Sequence, residues 1–224
     1  VIPFENSYTG EVGEVLDLLL KYDCFIQQMY DLKINQNLLG CPGATIKDIK
    51  QVYSHHQALS QCQQFLQSND FAVIPYPNTA LAAKFVSEQK DNSKAAIASK
   101  ETAQIYGLHV LVENINTSME NTTRFIVIGK KANPSCGDRF SLLFTVDHTV
   151  GQLAKVMQLI GDYGFNVESI KSRPLHHAPW QYYFYAQIVG DLADEKAVAL
   201  VQNLQKVCKE LKVLGAYTIQ KNEE

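Results

Sequence analysis

Short apolar strands alternate with helices through the first 130 residues, and this alternation constrains the fold more than any other feature of the sequence. Residues 95–98 are four consecutive apolar residues, three alanines and an isoleucine, typical of a buried strand. Val12, Val15, Leu16 and Leu19 recur at helical spacing and form one apolar stripe. Strands separated by helices of this length predict an α/β domain with a mainly parallel or mixed sheet.

The pattern changes after residues 130–137, a polar segment with a proline and a glycine that predicts a linker. Beyond the linker, the signals predict strand 141–146, helix 150–163, strands 165–173 and 181–189, helix 194–211 and strand 213–219. This βαββαβ order is the ferredoxin-like arrangement. We therefore expect two domains, residues 1–129 and residues 138–224.

Composition excludes several classes of partner. A net charge of −3 and a pI near 6.1 argue against nucleic acid or an anionic membrane. The five cysteines are scattered, without a CxxC pair, and no histidine pair has metal-ligand spacing, so we expect no metal site and a reducing, cytoplasmic location. Residues 1–4 read as the end of a buried strand with nothing before it, so we expect a chain cut from a longer polypeptide.

The run from Asn121 to Phe125 is the most informative for function. It sets the hydroxyls of Thr122 and Thr123 beside the guanidinium of Arg124, in what we interpret as a turn before the apolar strand 125–128. An arginine fork grips a carboxylate through two bonds, and a nearby hydroxyl can donate to another oxygen. The run therefore favours a small organic acid with several negative charges.

Three further polar groups follow predicted strands: Glu5–Asn6–Ser7, His55–His56–Gln57 and Asn78–Thr79–Ala80. Ligands of open α/β sheets lie beyond the carboxyl ends of strands, so we expect these groups near one another. Simpler interpretations remain open, since Asn78 is also a good helix cap and His55 a structural hydrogen-bonding residue. In the second domain, Gly151 at a helix start permits either close approach of a small zwitterion or only a tight turn.

Taken in order, these motifs resemble the prephenate dehydratase family. The resemblance rests on residues 1–7, on the Ser-His-His-Gln-Ala-Leu run at 54–59, on residues 78–83 and on the Thr-Arg-Phe signature at 123–125. The second domain resembles the family's ACT regulatory domain, with residues 151–153 and 171–174 at its two effector motifs.

The resemblance implies a two-lobed catalytic domain like a periplasmic solute-binding protein, truncated at its N-terminus, followed by a ferredoxin-like ACT domain. It implies conversion of prephenate to phenylpyruvate, water and carbon dioxide without a metal or cofactor, and feedback by L-phenylalanine. Thr123 would assist the leaving hydroxyl and Arg124 would bind a carboxylate. The implied substrate-binding residues are Glu5, Asn6, Ser7, His55, Gln57, Thr79, Ala80, Thr122 and Phe125. The implied effector-binding residues are Gly151, Gln152, Leu153, Lys171, Ser172, Arg173 and Pro174.

The departures from the family pattern also lead to expectations. The family's first strand and its Gly-Pro-x-Gly loop are missing, and the resemblance is to the bifunctional enzymes that carry a chorismate mutase domain upstream. Lys171 and Gln152 replace the glutamate and alanine of the regulatory motifs. A positive charge near the ammonium group of phenylalanine would weaken effector binding.

Two other classes of function stay open. One is a protein that binds and senses a small dicarboxylate or an amino acid without catalysis. The other is an assembly role, in which the second domain pairs with copies of itself; we expect a homodimer or homotetramer. Aromatic residues between 180 and 185 would favour the assembly role if they were exposed.

Overall fold

A computed structural model describes residues 1–8, 10–118, 121–132, 137–176 and 178–221. Contacts divide the chain into two compact units, residues 1–32 with 123–224 and residues 33–122. Residues 133–136, half of the predicted linker, lie outside the described residues. No helix in the described part of the chain has the length and apolar character needed to cross a membrane.

The secondary structure follows the predicted alternation. Up to residue 129 the elements are β1 (Ile2–Asn6), β2 (Gly10–Glu11), α1 (Gly13–Lys21), β3 (Phe25–Lys33), β4 (Asn37–Gly40), β5 (Gln51–Ser54), α2 (His56–Gln61), α3 (Gln63–Ser68), β6 (Ala72–Pro75), α4 (Thr79–Gln89), β7 (Lys94–Ala98), α5 (Lys100–Tyr106), β8 (His109–Val112) and β9 (Thr122–Gly129), with one 3-10 turn at Ile46–Asp48. The remaining elements are β10 (Arg139–Thr145), α6 (Gln152–Asp162), β11 (Asn166–Pro174), β12 (Tyr182–Val189), α7 (Glu195–Val207), β13 (Glu210–Tyr217) and β14 (Ile219–Lys221).

The unit of residues 33–122 is built on a mixed five-stranded sheet in the order β6-β5-β7-β4-β8. β5 runs parallel to β6 and β7, whereas β4 is antiparallel to β7 and β8. Alternate residues of the central strands pack into two different cores: Ala95 and Ile97 into one, Ala96 and Ala98 into the other. This confirms the prediction of a buried strand, which is covered on both faces.

In this unit the predicted helix cap at Asn78 is confirmed, and Ser99 caps the next helix in the same way. The side chain of Asn78 accepts a hydrogen bond from the Leu81 N–H at 2.7 Å, and Ser99 accepts one from Thr102 N–H at 3.3 Å. Gly107 ends α5 in the left-handed conformation with φ +64°, which favours glycine. The apolar residues between 58 and 66 recur at helical spacing and predict one helix after β5, but the structure has two, α2 and α3, because Cys62 leaves helical geometry with ψ 16°.

The other unit contains a second five-stranded sheet in the order β14-β3-β9-β1-β2. β1 is antiparallel to β9 and to the two-residue strand β2, and β14 is parallel to β3. The structure differs from the sequence interpretation at Asn121–Arg124: β9 begins at Thr122, so Thr122 to Arg124 belong to the strand and not to a turn before it. β-branched threonines suit the extended backbone.

The same unit contains a four-stranded antiparallel sheet in the order β11-β12-β10-β13. Together with α6 and α7 it has the ferredoxin-like arrangement, which confirms that prediction. The last helix is shorter than expected and ends at Val207, because Cys208 is extended (ψ 147°) and β13 already begins at Glu210.

Both faces of the four-stranded sheet are covered within the unit. One face packs on α6 and α7 through Phe144, Ala186 and Ile188. The opposite face shares a core with the five-stranded sheet and α1, formed by Phe4, Leu16, Leu19, Ile26, Ile126, Leu143, Tyr183, Tyr185, Leu214 and Tyr217. The aromatic residues of β12 thus alternate between two cores, with Tyr183 and Tyr185 on one side and Phe184 on the other.

Asp17 on α1 is the centre of a polar cluster on this shared face. Arg173 donates to it through Nε at 3.0 Å and Nη2 at 2.8 Å, and the Tyr183 hydroxyl donates at 2.6 Å. Arg173 also donates to Glu11 at 3.1 Å. The hydrogen bonds from Arg173, followed by the one from Tyr183, outweigh desolvation and lower the pKa of Asp17 to about 2.

We expect Asp17→Asn to lower the free energy of unfolding by about 1–2 kcal/mol at pH 7, because it removes the charged acceptor of a bidentate pair. A carboxyl whose pKa is depressed on folding stabilises the protein above its unfolded pKa of 3.8, and this contribution is lost as the pH falls to about 2. The difference between variant and wild type should therefore close over that range in chemical denaturation. Asp23→Asn is the control, because Asp23 is fully exposed and 4.0 Å from Lys212. An equal loss in both variants would contradict this role of Asp17.

Candidate active site

The pairing of β1 with β9 brings Asn6 and Thr123 together. Their Cα positions are register partners, so their side chains share a face of the sheet. Asn6 Nδ2 donates to Thr123 Oγ1 at 2.8 Å, and Asn6 Oδ1 accepts from the Tyr8 N–H at 2.9 Å. Asn6 is only 5% exposed, so its amide is held firmly. Because Thr123 Oγ1 accepts a hydrogen bond from the Asn6 amide, the O–H hydrogen of Thr123 points away from that amide and can donate to another acceptor.

Arg124 lies on the opposite face of β9 from Thr123, because successive side chains of a strand alternate. Its fork is engaged by Asp31 of β3: Nε donates to Oδ1 at 2.7 Å and Nη2 donates to Oδ2 at 2.8 Å. The bond to Asp31 raises the pKa of Arg124 against the opposing effect of burial. The bidentate contact that the sequence analysis assigned to a substrate carboxylate is therefore made by a carboxylate of the chain itself.

Glu5 is the register partner of Arg124 and shares its face. Its Oε1 lies 2.7 Å from Nζ of Lys171 on β11. The contact is an ion pair rather than an aligned hydrogen bond, since within the described residues this buried Nζ makes no hydrogen bond of good geometry. Lys171 Nζ also lies 5.3 Å from the centre of the Phe4 ring, a cation–π contact. Of the other two predicted residues near Thr123, Ser7 is exposed and Phe125 is half-buried on the face of Thr123.

His55 is the N-cap residue of α2, in the unit of residues 33–122. Its Nδ1 accepts a hydrogen bond from the Gln57 N–H at 3.4 Å, which leaves Nε2 as the protonated nitrogen of a neutral ring. Burial, followed by the nearby His56 ring at 4.1 Å, lowers the pKa of His55. His55 therefore offers a neutral N–H donor at physiological pH.

Thr79 and Ala80 begin α4 at the same sheet edge as His55. β5 and β6 are parallel neighbours, with Ser54 opposite Pro75, and both polar groups follow the carboxyl ends of these strands. The structure thus brings His55, Gln57, Thr79 and Ala80 to one edge, as the sequence analysis expected.

A buried amide network that the sequence analysis missed precedes Thr122 in this unit. Asn121 Nδ2 donates to Gln61 Oε1 at 2.9 Å, and Gln36 Nε2 donates to the same oxygen at 3.3 Å. The three side chains are 3% to 7% exposed. The sequence gives no local signal for this network, because each of the three amides stands beside other polar residues and their meeting depends on tertiary structure.

The predicted substrate residues therefore divide between the two compact units. The unit that contains β1 and β9 holds Glu5, Asn6, Ser7, Thr123, Arg124 and Phe125. The unit of residues 33–122 holds His55, Gln57, Thr79, Ala80 and Thr122. In the described parts of the chain, no group of three or more His, Cys, Asp and Glu side chains could hold a metal ion.

The predicted effector motif at residues 171–174 is divided between the two faces of its sheet. Lys171 and Arg173 are register partners of Tyr185 and Tyr183 and share their core face. Ser172 and Pro174 lie on the opposite face; their partners are Phe184 and Tyr182. Lys171, which was expected near a ligand's ammonium group, points instead towards Glu5.

A cavity of about 530 Å³ opens on the face of Phe184 and Tyr182. It is lined by Val146, Asp147, His148, Thr149, Val150, Leu153, Gln181, Tyr182 and Phe184. Of the seven predicted effector residues, Leu153 alone is among these. Gly151 precedes α6 with φ +83°, a conformation that favours glycine, and Gln152 is the first residue of the helix.

Comparison with known proteins identifies relatives that match almost the whole chain. The chain is 34% identical over 220 residues to the bifunctional chorismate mutase/prephenate dehydratase of Aquifex aeolicus, covering 97% of this chain and 60% of that protein. It is 34% identical over 234 residues to the chloroplastic arogenate dehydratase/prephenate dehydratase 1 of Arabidopsis thaliana, with the same coverage of 97% and 60%. The chain thus spans about three fifths of the length of these curated relatives.

The fold is also similar to that of solved structures. The prephenate dehydratase of Arthrobacter aurescens, determined in complex with L-phenylalanine, matches with a TM-score of 0.87 and 25% identity, over 97% of this chain and 74% of that one. The prephenate dehydratase family model matches residues 1–133, which include β1, β9 and both polar sheet edges described above. The chain belongs to the prephenate dehydratase family.

Proposed function

We propose that the chain is the dehydratase part of an enzyme that converts prephenate to phenylpyruvate. In this reaction the bond to the departing carboxylate breaks, its electron pair makes the ring aromatic, and the ring hydroxyl takes up a proton and leaves as water. The observation that carries the proposal is the Asn6–Thr123 pair, because it presents an oriented O–H donor in a family whose reaction expels a hydroxyl group.

Thr123 is the residue that we assign to the leaving hydroxyl. A threonine hydroxyl is a very poor acid, so it contributes by orientation and by a hydrogen bond that strengthens as negative charge develops on the leaving oxygen. Asn6 positions Thr123 by donating to Oγ1. A single donor of this kind contributes roughly 2–4 kcal/mol to the transition state.

Neutral donors at the β5–β6 edge are suited to the substrate's carboxylates. His55 donates from Nε2, and Thr79 lies at the start of α4, where free N–H groups and the helix dipole favour an anion. Gln57 and Ala80 complete this set, Ala80 by leaving room for the ligand. A neutral histidine binds a carboxylate without adding a charge that must be desolvated.

Arg124 contributes chiefly through its charge and its place in the sheet. Asp31 occupies Nε and Nη2, so that a substrate carboxylate can use only donors outside the fork, such as Nη1. The Asp31–Arg124 bonds join β3 to β9 and thereby hold the strand that carries Thr123. This role differs from the bidentate grip expected from the sequence.

The cavity beside Phe184 is suited to an amino-acid effector, and we propose that L-phenylalanine binds there to an ACT domain. Its lining combines apolar side chains with the carboxylate of Asp147, which can receive an ammonium group. The relative solved with L-phenylalanine supports this ligand. Three apolar or aromatic side chains are exposed, those of Val150, Trp180 and Tyr182, and this supports the homodimer or homotetramer expected from the sequence.

The location and the parent protein are part of the same proposal. Four cysteines of the described residues are free thiols, which suits a reducing cytoplasm. The bifunctional relative from Aquifex aeolicus supports a parent protein with a chorismate mutase domain.

The first prediction concerns Thr123. Thr123→Val should lower kcat about 100-fold with a smaller change in KM, because it removes a donor used in the transition state, whereas Thr123→Ser should retain most activity. The assay is phenylpyruvate formation from prephenate, followed by absorbance, with this chain and an N-terminally extended one. Arogenate is the comparison substrate. Equal turnover by Thr123→Val would remove Thr123 from the reaction, and binding of prephenate without turnover in wild type would favour the sensing function.

The second prediction concerns Arg124. Arg124→Lys should lower turnover at least about tenfold, because lysine cannot bond both oxygens of Asp31 and β9 then loses its link to β3. Arg139→Lys is the matched control, since Arg139 makes a similar pair with Glu168 on the ferredoxin-like sheet, at 2.6 Å and 3.2 Å. Near-normal turnover by Arg124→Lys would show that the bidentate pair is not needed.

The third prediction concerns the cavity. Asp147→Asn should weaken L-phenylalanine binding about tenfold in calorimetry, because one charge-assisted hydrogen bond contributes about 1.5 kcal/mol. Asp138→Asn, on the segment that precedes β10, should leave the affinity unchanged. If both variants bound L-phenylalanine with the same affinity, the ammonium group of the ligand would not be bound by Asp147.

A further inference from the structure

Three charged side chains of alternating sign lie on one face of neighbouring strands, and a fourth reaches them from the ferredoxin-like sheet that packs against this face. Asp31 is on β3, Arg124 on β9, Glu5 on β1, and Lys171 on β11 of the ferredoxin-like sheet. The two outer pairs are in direct contact, Arg124 with Asp31 at 2.7 Å and Lys171 with Glu5 at 2.7 Å. The inner pair consists of register partners, and Glu5 contributes to the raised pKa of Arg124.

Lys171 is built into the core side of its sheet. Its side chain is 12% exposed, and its register partner Tyr185 is fully enclosed. Its Nζ lies over the Phe4 ring, 5.3 Å from the ring centre, and forms the ion pair with Glu5, the next residue of β1. A cation in this environment is costly without a partner, so the position of Glu5 and the position of Lys171 depend on each other.

Glu5 in turn determines where Asn6 lies. The register of β1 against β9 shifts between Pro3 and Glu5, and after this irregularity Glu5 faces Arg124 and Asn6 faces Thr123. A side chain that anchors Glu5 on one face therefore holds Asn6 on the other. Without Lys171, Glu5 would turn to Arg124 and compete with Asp31 for its guanidinium.

We propose that Lys171 is a positioning residue for the reaction: by holding Glu5, it keeps the end of β1 where Asn6 can orient Thr123. This inference rests on the proposed function of Thr123. It gives the ferredoxin-like sheet a direct contact with the strand that carries the site, separate from the cavity on the opposite face of that sheet.

The test compares Lys171→Met with Lys171→Arg. Lys171→Met keeps the aliphatic stem and removes the charge, and should lower kcat for prephenate about tenfold with little change in KM. Lys171→Arg keeps the positive charge and should therefore retain most of the wild-type kcat. The double variant Lys171→Met/Glu5→Gln should be more active than Lys171→Met, because no uncompensated carboxylate remains beside Arg124. The control is Lys100→Met, which breaks a 2.7 Å pair with Glu113 between two exposed side chains and should leave kcat unchanged.

A second measurement does not depend on turnover. Hydrogen–deuterium exchange of the backbone around residues 5–8 and 122–125 should accelerate in Lys171→Met and return towards wild type in Lys171→Arg. If the wild type does not convert prephenate, the proposed function fails while exchange still tests the positioning. The inference would be overturned if a folded Lys171→Met protein showed unchanged kcat or unchanged exchange. It would also be overturned if Lys171→Arg lost as much activity as Lys171→Met.

Discussion

The antiparallel pairing of β1 with β9 is the interaction on which the candidate site depends. A strand alternates its side chains, so one register sets the contents of both faces of the sheet. Asn6 meets Thr123 on one face, and Glu5 meets Arg124 on the other. A shift of one residue would exchange the faces and separate the amide from the hydroxyl. The chemistry of the site therefore begins with backbone geometry.

The register is supported by a core that two sheets share. Phe4 of β1 and Ile126 of β9 pack with Tyr183 and Tyr185 of the ferredoxin-like sheet, and all four are almost fully buried. Burying an aromatic or branched side chain of this size stabilises by roughly 1.5–3 kcal/mol. Loosening of this core would consequently disturb the strands that carry Asn6 and Thr123. The two sheets of this unit therefore stabilise each other through a common core, although the sequence predicts that they belong to separate domains.

Local patterns were sufficient for much of the secondary structure. The caps at Asn78 and Ser99 and the βαββαβ order follow from residues within one or two turns of each other, where propensity and hydrogen bonding are local. The ion pairs of Arg124 and Lys171 could not be predicted in this way, since Asp31 lies 93 residues from Arg124 in the sequence. A family motif identifies the residue types at a site but does not reveal which other side chains hold them. For the same reason the buried network of Gln36, Gln61 and Asn121 was missed.

The engagement of Arg124 by Asp31 bears on the electrostatics of the proposed reaction. A guanidinium whose charge is balanced by its own carboxylate attracts a substrate dianion less strongly than a free one. In the proposed site, substrate binding would then depend more on neutral donors such as His55 and on the starts of helices, whose dipoles are not cancelled by an ion pair. Neutral donors also stabilise a carboxylate that is about to leave as carbon dioxide less than a full positive charge would, so they oppose its departure less. A balanced arginine and an oriented hydroxyl therefore suit decarboxylation with loss of water better than a tight cationic grip.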